Sequence, residues 1–287
     1  MNITCFENES LAPYCSMKAG GRAKYILLPK TKEELVSAVA EFKKSGERYI
    51  VVGNCSNLLF SESGFDGAVI ITSGMRGVEV NGNRLKAFCG ETLSTLARAA
   101  CDSSLTGLEF CYGIPGTVGG GVYMNAGAYG GELSQVFVRG EFIDENGDII
   151  VLNANEMDFA YRHSVMADRS LILLSAEFEC SVGNKEDIRA RMDELMAKRK
   201  ASQPLEYPSC GSAFKRPVGN YAGALIERCG LKGLTVGGAQ VSEKHAGFII
   251  NRSNASADDV IELLNLVSDT VFKKTGVRLE PEIRIIL

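Results

Sequence analysis

The sequence predicts an α+β protein of two or three small domains, and three observations support this prediction. The chain has 287 residues, a length that accommodates two or three domains. Its first fifty residues read as strand, helix and strand, and a stretch unusually rich in glycine lies near the middle. The last third alternates apolar helices with short strands, which is typical of helices packed on one side of a mixed sheet.

The N-terminal elements begin with a strand at residues 25–28. Thr31 and Glu34 have the spacing of a capping box at the start of a helix, and Gly46 ends that helix. A buried strand, Tyr49–Val52, follows.

A short polar turn comes directly after this strand, at a position where α/β units often bind ligands. It consists of Gly53, Asn54, Cys55, Ser56 and Asn57. The dinucleotide pattern G-x-G-x-x-G is absent from this turn and from the downstream glycines. Taken alone, the turn is explained by ordinary turn chemistry. The prediction that it binds a ligand therefore depends on the glycine stretch downstream.

The glycine stretch has eight glycines between residues 113 and 131, against 31 in the whole chain, so it is a local concentration. Backbone without Cβ atoms lets a ligand approach the main chain closely, and a run of free N–H groups would suit a pyrophosphate. A flexible linker would be polar, but Ile114, Val118 and Val122 interrupt these glycines. We therefore expect a buried cofactor loop.

The remaining elements are predicted from periodicity and turn signals. They are hairpins within 78–88 and 136–152, helices at 92–101, 184–200, 221–230 and 256–275, and strands at 171–180, 248–251 and 283–287. The helix that begins near Asn184 is expected to connect domains.

Composition excludes several classes of protein. A net charge of −4 argues against nucleic-acid or anionic-membrane binding. No apolar run approaches the roughly 18 residues of a membrane helix, and no secretory signal is found, so we expect a cytoplasmic protein. The nine cysteines are scattered without a C-x-x-C pair, which predicts reduced thiols and no metal ligands.

Seven motifs in this order resemble the UDP-N-acetylenolpyruvoylglucosamine reductase family over residues 14–287. They are GNCSNLLFSESGFDG, GIPGTVGGGVYMNAG, YRHS, QPLEYPSCGSAFKRP, AGALIERCGLKG, VSEKHAGFIIN and LEPEIRII. The resemblance implies the FAD-binding fold of the vanillyl-alcohol-oxidase (PCMH) type, with two α/β subdomains, plus a C-terminal α+β substrate-binding domain. We expect subdomains at 1–65 and 66–183, and the connector helix with the substrate domain at 184–287.

The chemistry that the resemblance implies is NADPH-dependent reduction of the enolpyruvyl group of UDP-N-acetylglucosamine-enolpyruvate, giving UDP-N-acetylmuramate for peptidoglycan. FAD would be bound non-covalently, NADPH would be the co-substrate, and the enzyme would be a monomer. The family's catalytic positions fall on Arg162, Ser212 and Glu282. Ser212 would donate a proton, and the other two would hold and polarise the enolpyruvyl carboxylate.

The resemblance also implies binding residues. Those for FAD are Gly53, Asn54, Cys55, Ser56, Asn57, Gly113, Ile114, Pro115, Gly116, Gly119, Gly120, Asn125, Ala126 and Gly127. Those for substrate are Tyr161, Lys215, Arg216 and Tyr221. Lys215 is also expected to assist the Ser212 hydroxyl, which is a weak acid.

Three features depart from the family pattern or define its class. Cys55 occupies a position that is commonly glycine, and Ser202 one that is often lysine, so Lys200 or Arg199 would supply that charge. The segment 222–251 is compact, as in the short class that lacks an inserted tyrosine loop. Arg216 and Tyr221 are then expected to close over the substrate.

Two other functions remain open on the residues alone. One is a different flavoenzyme of this fold, such as an oxidase. Many such oxidases tether FAD through histidine, but no histidine precedes His163. The other is a non-catalytic flavin or nucleotide sensor, which would not need a proton donor. Without the resemblance, Ser212 reads as a turn former, Arg162 as a surface ion pair and Glu282 as an exposed strand edge. His245 is as compatible with a structural role as with an active one.

Overall fold

The structure is a computed structural model that describes residues 3–287. The chain divides into two compact units. Unit 1 contains the residues up to Phe6, Tyr25–Asn54 and Gly67–Arg199, and unit 2 contains Glu7–Lys24, Cys55–Asp66 and Lys200–Leu287. Among the described residues, every helix is too short or too polar to span a bilayer.

The α-helices of residues 3–287 are α1 (Lys32–Ser45), α2 (Leu93–Asp102), α3 (Val118–Tyr123), α4 (Lys185–Ser202), α5 (Ala222–Arg228) and α6 (Ala257–Thr275). The first strands are β1 (Thr4–Ser10), β2 (Arg22–Leu28), β3 (Tyr49–Val52), β4 (Leu58–Phe60), β5 (Phe65–Ile71), β6 (Val78–Asn81), β7 (Arg84–Phe88), β8 (Leu105–Thr106), β9 (Gly127–Ala128) and β10 (Gly131–Glu132). The later strands are β11 (Phe137–Ile143), β12 (Ile149–Asn153), β13 (Ile172–Glu179), β14 (Ser181–Val182), β15 (Ser209–Ser212), β16 (Thr235–Val236), β17 (Ala239–Val241), β18 (Phe248–Asn251) and β19 (Arg284–Ile286).

Unit 1 is organised around a five-stranded sheet in the order β12-β11-β13-β7-β6. Every neighbouring pair in it is antiparallel, and the two predicted hairpins supply β6–β7 and β11–β12. A second sheet has the order β1-β2-β5-β3, in which β3 and β5 are parallel. Helices α1 and α2 share one apolar core with these strands through residues such as Leu35, Leu96, Phe142 and Phe178.

Helix α1 shows how local sequence sets an element's ends. The Thr31 hydroxyl accepts the Glu34 N–H at 3.2 Å, and Gly46 ends the helix with φ 70°, as predicted. The reciprocal bond of a capping box goes elsewhere, because the Glu34 carboxylate accepts the Lys30 N–H at 2.6 Å. Both bonds satisfy donors near the N-terminus of the helix.

The glycine stretch is not one continuous loop, which corrects the sequence-based expectation. Residues Val118–Tyr123 form α3, and the Thr117 hydroxyl caps it by accepting the Gly120 N–H. Glycine disfavours helix by about 1 kcal/mol per residue, so tertiary packing has to stabilise this element. Val118 and Val122 are both fully buried, and a Cβ at Gly121 would press on Leu93 and Leu133 at 3.0 Å.

Unit 2 has its own apolar core, built from α5, α6 and the sheet β15-β18-β17-β16. All pairs in that sheet are antiparallel. The parallel pair β4–β19 forms a separate two-stranded sheet, so the expectation of one mixed sheet was wrong. Early segments of the chain complete this core, since Met17, Ala19 and Leu59 are buried in it.

Helix α6 was predicted from its sequence and has the expected ends. Ser256 and Asp259 form a complete capping box, and Gly276 follows the last turn with φ 75°. Val260, Leu263 and Val267 face the core with no exposed surface. Spacings of three and four residues place these side chains on one face of the helix.

The three-domain division expected from the sequence stays a prediction. The chain crosses between the two compact units after Phe6, Lys24, Asn54, Asp66 and Arg199. The last crossing lies near the end of α4, the helix predicted to connect domains.

Candidate functional site

Two of the predicted cofactor segments lie against each other in unit 1. The Asn54 side-chain amide donates to the Pro115 carbonyl at 3.2 Å. A Cβ on Gly53 would overlap the Thr117 hydroxyl, so the turn after β3 can approach this segment only with glycine there. Glycine at 53 is therefore a steric requirement of the contact.

Gly116 and Thr117 carry backbone N–H groups that meet no acceptor among residues 3–287. Both residues are buried, and Thr117 is only 1% exposed. Buried amides of native proteins are almost always hydrogen-bonded, so this pair suits an anionic ligand such as a diphosphate. Sequence analysis passed over Thr117, although a threonine before V-G-G-G carries the signal of a helix cap.

Most other amides of the glycine stretch are satisfied within the protein, which corrects the expectation of a continuous row of free donors. The Gly113 N–H donates to the Ser94 hydroxyl at 3.1 Å, Ile114 to the Cys111 carbonyl at 3.0 Å, and Gly119 to the Cys89 carbonyl at 2.8 Å. Gly120 donates to its capping hydroxyl. The donors available to a ligand are thus few and local.

Asn125, Ala126 and Gly127 link α3 to the segment that carries Arg162. The buried Asn125 side chain donates to the Ala160 carbonyl at 3.2 Å and accepts the Ser134 N–H at 3.0 Å. The Ala126 N–H donates to Gly121 at 2.8 Å. The Gly127 carbonyl accepts Arg162 Nη2 at 3.3 Å.

Arg162 lies at the tip of a two-residue turn. Ala160 and His163 exchange backbone hydrogen bonds, each of 3.2 Å, and Arg162 has a φ of 56°. Non-glycine residues adopt this conformation rarely, and usually where the surroundings enforce it. The guanidinium lies 5.1 Å from the ring centroid of Tyr161, which is itself exposed.

Charged groups flank the base of this turn. His163 Nε2 lies 3.3 Å from an Asp168 carboxylate oxygen and 3.8 Å from one of Asp158, and the three groups converge within 4.8 Å. The Asp158 side chain is 82% exposed. At such exposure the cluster is explained as a surface ion pair when the imidazole is protonated.

Ser212 and Glu282 are brought together in unit 2, although they are far apart in sequence. Ser212 is the last residue of β15 and pairs with Phe248. The Glu282 N–H donates to the carbonyl of the next residue, Ala213, at 2.9 Å. Asn57 joins them, because its side-chain amide donates to the Glu282 carbonyl at 3.0 Å. Ser212 thus ends a strand, is exposed to solvent and has a carboxylate residue on the adjacent chain segment.

The predicted substrate residues of unit 2 are exposed beyond β15. Lys215 Nζ lies 3.4 Å from the Glu280 carboxylate, and no hydrogen bond joins it to Ser212 in the described chain, so direct assistance to that hydroxyl is not seen. Arg216 and Tyr221 form a cation–π pair at 4.5 Å, which places these two predicted partners together.

Arg199 and Lys200, the proposed substitutes for the usual lysine, differ sharply in environment. Arg199 is 7% exposed, and a Cβ at Gly113 would lie 3.3 Å from its Nε. Its guanidinium is 5.7 Å from the Tyr129 ring centroid, and burial lowers its pKa. Lys200 and Ser202 are exposed. The buried cation beside the glycine stretch is therefore Arg199.

His245 has a structural partner. Its Nδ1 accepts the Gly247 N–H at 3.1 Å, and its ring packs edge-on against Phe248 at 4.9 Å. Burial lowers its pKa, which favours the neutral imidazole. This matches the structural alternative left open for His245.

Comparisons with known proteins agree with this architecture. Residues 203–286 match the UDP-N-acetylenolpyruvoylglucosamine reductase C-terminal domain, and residues 23–153 match an FAD binding domain. The UDP-N-acetylenolpyruvoylglucosamine reductase of Caldicellulosiruptor bescii is 47% identical over 99% of this chain and 91% of its own. That of Latilactobacillus sakei is 48% identical over 97% and 92%.

A solved structure extends the comparison to three dimensions. The crystal structure of UDP-N-acetylenolpyruvylglucosamine reductase (MurB) from Thermus caldophilus is 34% identical, covers all of both chains and has a TM-score of 0.85. The fold class predicted from the sequence, an FAD-binding fold with a C-terminal α+β domain, is confirmed. The chain therefore belongs to the UDP-N-acetylenolpyruvoylglucosamine reductase family and is an oxidoreductase with an FAD-binding domain.

Proposed function

We propose that this protein reduces the enolpyruvyl group of UDP-N-acetylglucosamine-enolpyruvate with NADPH, forming UDP-N-acetylmuramate for peptidoglycan synthesis. The observation that carries the proposal is the junction of Ser212 with Glu282 in unit 2, where the Glu282 N–H bonds to the Ala213 carbonyl at 2.9 Å. An exposed hydroxyl and a carboxylate on adjacent segments provide a proton donor and a polarising group. A sensor that only bound a nucleotide would need neither.

Ser212 is the proposed proton donor. When bound, FAD supplies the hydride relay between NADPH and the enolpyruvyl double bond. The Ser212 Oγ–H then protonates the carbon of the resulting enolate, a contribution worth about 10²–10⁴-fold in rate. Lys215 is held by Glu280, so we assign it to substrate binding rather than to activation of Ser212.

Arg162 and Glu282 are assigned to the enolpyruvyl carboxylate. A guanidinium can bind a carboxylate through two parallel hydrogen bonds, and the left-handed turn holds the Arg162 backbone in one conformation. Glu282 is kept in register by the bond from Asn57 to its carbonyl. Both groups act as charge accumulates on the substrate.

The residues around Thr117 fit the FAD diphosphate. The buried N–H groups of Gly116 and Thr117 supply donors, and the turn at Gly53 and Asn54 lies against them. We assign the predicted residues of both segments to FAD binding, and we add Thr117 to them. With no histidine before residue 163, non-covalent binding is proposed.

The nucleotide-sugar substrate is assigned to exposed aromatic and basic groups. Arg216 and Tyr221 form one pair, Tyr161 lies beside Arg162, and Arg199 is the buried cation. We further propose a monomeric enzyme that acts in the cytoplasm, where UDP-sugars and NADPH are available.

The test is NADPH oxidation by purified protein with and without the enolpyruvyl nucleotide sugar. We expect oxidation that depends strictly on this substrate and one UDP-N-acetylmuramate per NADPH consumed. Rapid NADPH oxidation with oxygen alone would support an oxidase instead. Tight flavin binding with no turnover of either kind would support a sensor.

A further inference from the structure

Unit 2 contains two buried cysteines, Cys15 and Cys55, whose thiols are near enough for each to shift the pKa of the other. Their residues are 1% and 4% exposed. The backbone is also joined here, because the Ser16 N–H donates to the Cys55 carbonyl at 3.4 Å. Both cysteines are reduced in the structure. Two thiols on chain segments that are hydrogen-bonded to each other can form a disulfide after a local movement that brings the sulfur atoms to bonding distance.

The two thiols differ chemically. Interaction with the Cys55 thiol, helped by the positive charge of Lys18, lowers the pKa of Cys15 despite its burial. The pKa of Cys55 is raised by the same interaction and by burial. Burial also raises the pKa of Cys111, Cys180 and other thiols. Cys15 is therefore the better nucleophile and Cys55 its proton-bearing partner.

Cys55 has a special backbone position. It lies in the turn from Gly53 to Asn57 with a φ of 46°, a conformation that glycine adopts more easily. A cysteine here therefore carries conformational strain that glycine would avoid. Its side chain is shielded from solvent, so one thiol of the pair lies in a strained turn.

We propose that Cys15 and Cys55 are a redox-active pair that hydroperoxides convert to an intramolecular disulfide, cross-linking the turn of residues 53–57 to the segment around Cys15. The Cys15 thiolate attacks an oxygen of the hydroperoxide and breaks the O–O bond, leaving a sulfenic acid and, after proton transfer, an alcohol. The Cys55 sulfur then attacks the Cys15 sulfur and releases water. Two thiols and one hydroperoxide thus give one disulfide, one alcohol and one water.

The chain offers internal controls for this reaction. Cys5 is exposed, so it tests whether accessibility alone determines oxidation. Cys111 and Cys180 are a second pair of buried thiols, near enough for one charge to affect the other, but neither thiol has the lowered pKa. Hydrogen peroxide is little larger than water and can reach buried sulfur, whereas a maleimide should modify Cys5 first.

The experiment treats the full-length holoprotein with hydrogen peroxide and maps cysteine products by mass spectrometry, with Cys15→Ser and Cys15→Ala as variants. We expect a Cys15–Cys55 disulfide to form at least tenfold faster than any Cys111–Cys180 product, and dithiothreitol to reverse it. Because the bond closes a long loop of the unfolded chain, the thermal midpoint should rise on oxidation, and neither variant should show this rise.

Three results would overturn the proposal. They are oxidation confined to Cys5, a stable sulfinic acid on Cys15 without the disulfide, and equal rates for the two buried pairs. Should both Cys15 variants fold poorly, the wild-type product map and its reversal by dithiothreitol still decide the matter.

Discussion

At the scale of single residues, the most informative placement is that of Ser212. Its sequence context, Gly-Ser, predicts only a turn, yet the structure makes it the end of β15 beside Glu282. A hydroxyl at the end of a strand is exposed to ligands while its backbone stays fixed. This placement is compatible with the role of proton donor proposed for Ser212.

Replacing Ser212 should separate the two halves of the reaction. Ser212→Ala should leave flavin bleaching by NADPH nearly unchanged but slow reoxidation by the enolpyruvyl substrate about 10²–10⁴-fold. Stopped-flow absorbance measures each half separately, and Lys215→Ala is a control that should mainly raise KM. Equal slowing of both halves in Ser212→Ala would remove the serine from the donor role.

His245 should make the protein less stable in mild acid. Its pKa is lowered in the folded state from the ordinary value of 6.5, so the unfolded chain binds a proton more readily. Protonation then favours unfolding, and stability is lost as the pH falls below 6.5. His245→Asn, which can keep an acceptor near Gly247, should flatten this part of a plot of thermal midpoint against pH. An unchanged slope would show that other groups cause it.

At the scale of elements, most long helices and hairpins followed from the sequence, and the failures have physical causes. Helix α6 is amphipathic and capped at both ends, so its bounds were readable. Helix α3 was missed because its three consecutive glycines oppose helix formation. Its support comes from the Thr117 cap and from the packing of Val118 and Val122. Strand β1 was missed because its residues are exposed and show no alternation of apolar and polar types.

The same limit applied to the site. The turn at Gly53 and the glycine stretch were identified from the local sequence, and in the structure they lie in contact. The hydrogen bonds that consume most amides of that stretch depend on partners such as Ser94 and Cys89. Such distant partners leave no signal in the local sequence.

Helix α3 should respond to bulk at Gly119. A Cβ there would lie 3.2 Å from the Cys89 carbonyl oxygen and 3.3 Å from its Cβ, so Gly119→Val must displace the helix. We expect loss of most bound FAD, measured by absorbance per protein, with the core of unit 2 still folded. At Gly120 the nearest atom is 3.7 Å away, so Gly120→Ala should leave the helix in place. Full flavin content in Gly119→Val would contradict our assignment of the FAD phosphates.

At the scale of the whole molecule, each compact unit is built from segments that are not consecutive in the sequence. The core of unit 2 takes Met17 and Leu59 from the N-terminal part of the sequence and most of its other residues from beyond residue 200. The division predicted from the sequence assigned one continuous range of residues to each domain, so it did not allow for a core that combines early and late segments. The prediction of the fold class did not depend on this detail, because it rested on the order of elements and on the motifs.

Because early and late segments share the core of unit 2, we expect that removing the residues after Arg199 destabilises the rest of the chain. A chain that ends at Arg199 would expose Met17 and Leu59, which are now fully buried, at a cost of about 1.5–3 kcal/mol each. We expect this chain to aggregate or to melt at a lower temperature than the full-length protein in a thermal scan. A truncated chain with undiminished solubility and melting temperature would contradict the two-core description.

The most direct test of the central claim is the visible absorbance spectrum of the purified protein, recorded anaerobically before and after NADPH and again after the enolpyruvyl nucleotide sugar. We predict a flavin spectrum whose pigment is released on denaturation, bleaching by NADPH, and recovery on addition of the sugar. A colourless protein, or a flavin that NADPH bleaches but the sugar cannot restore, would contradict the proposed function.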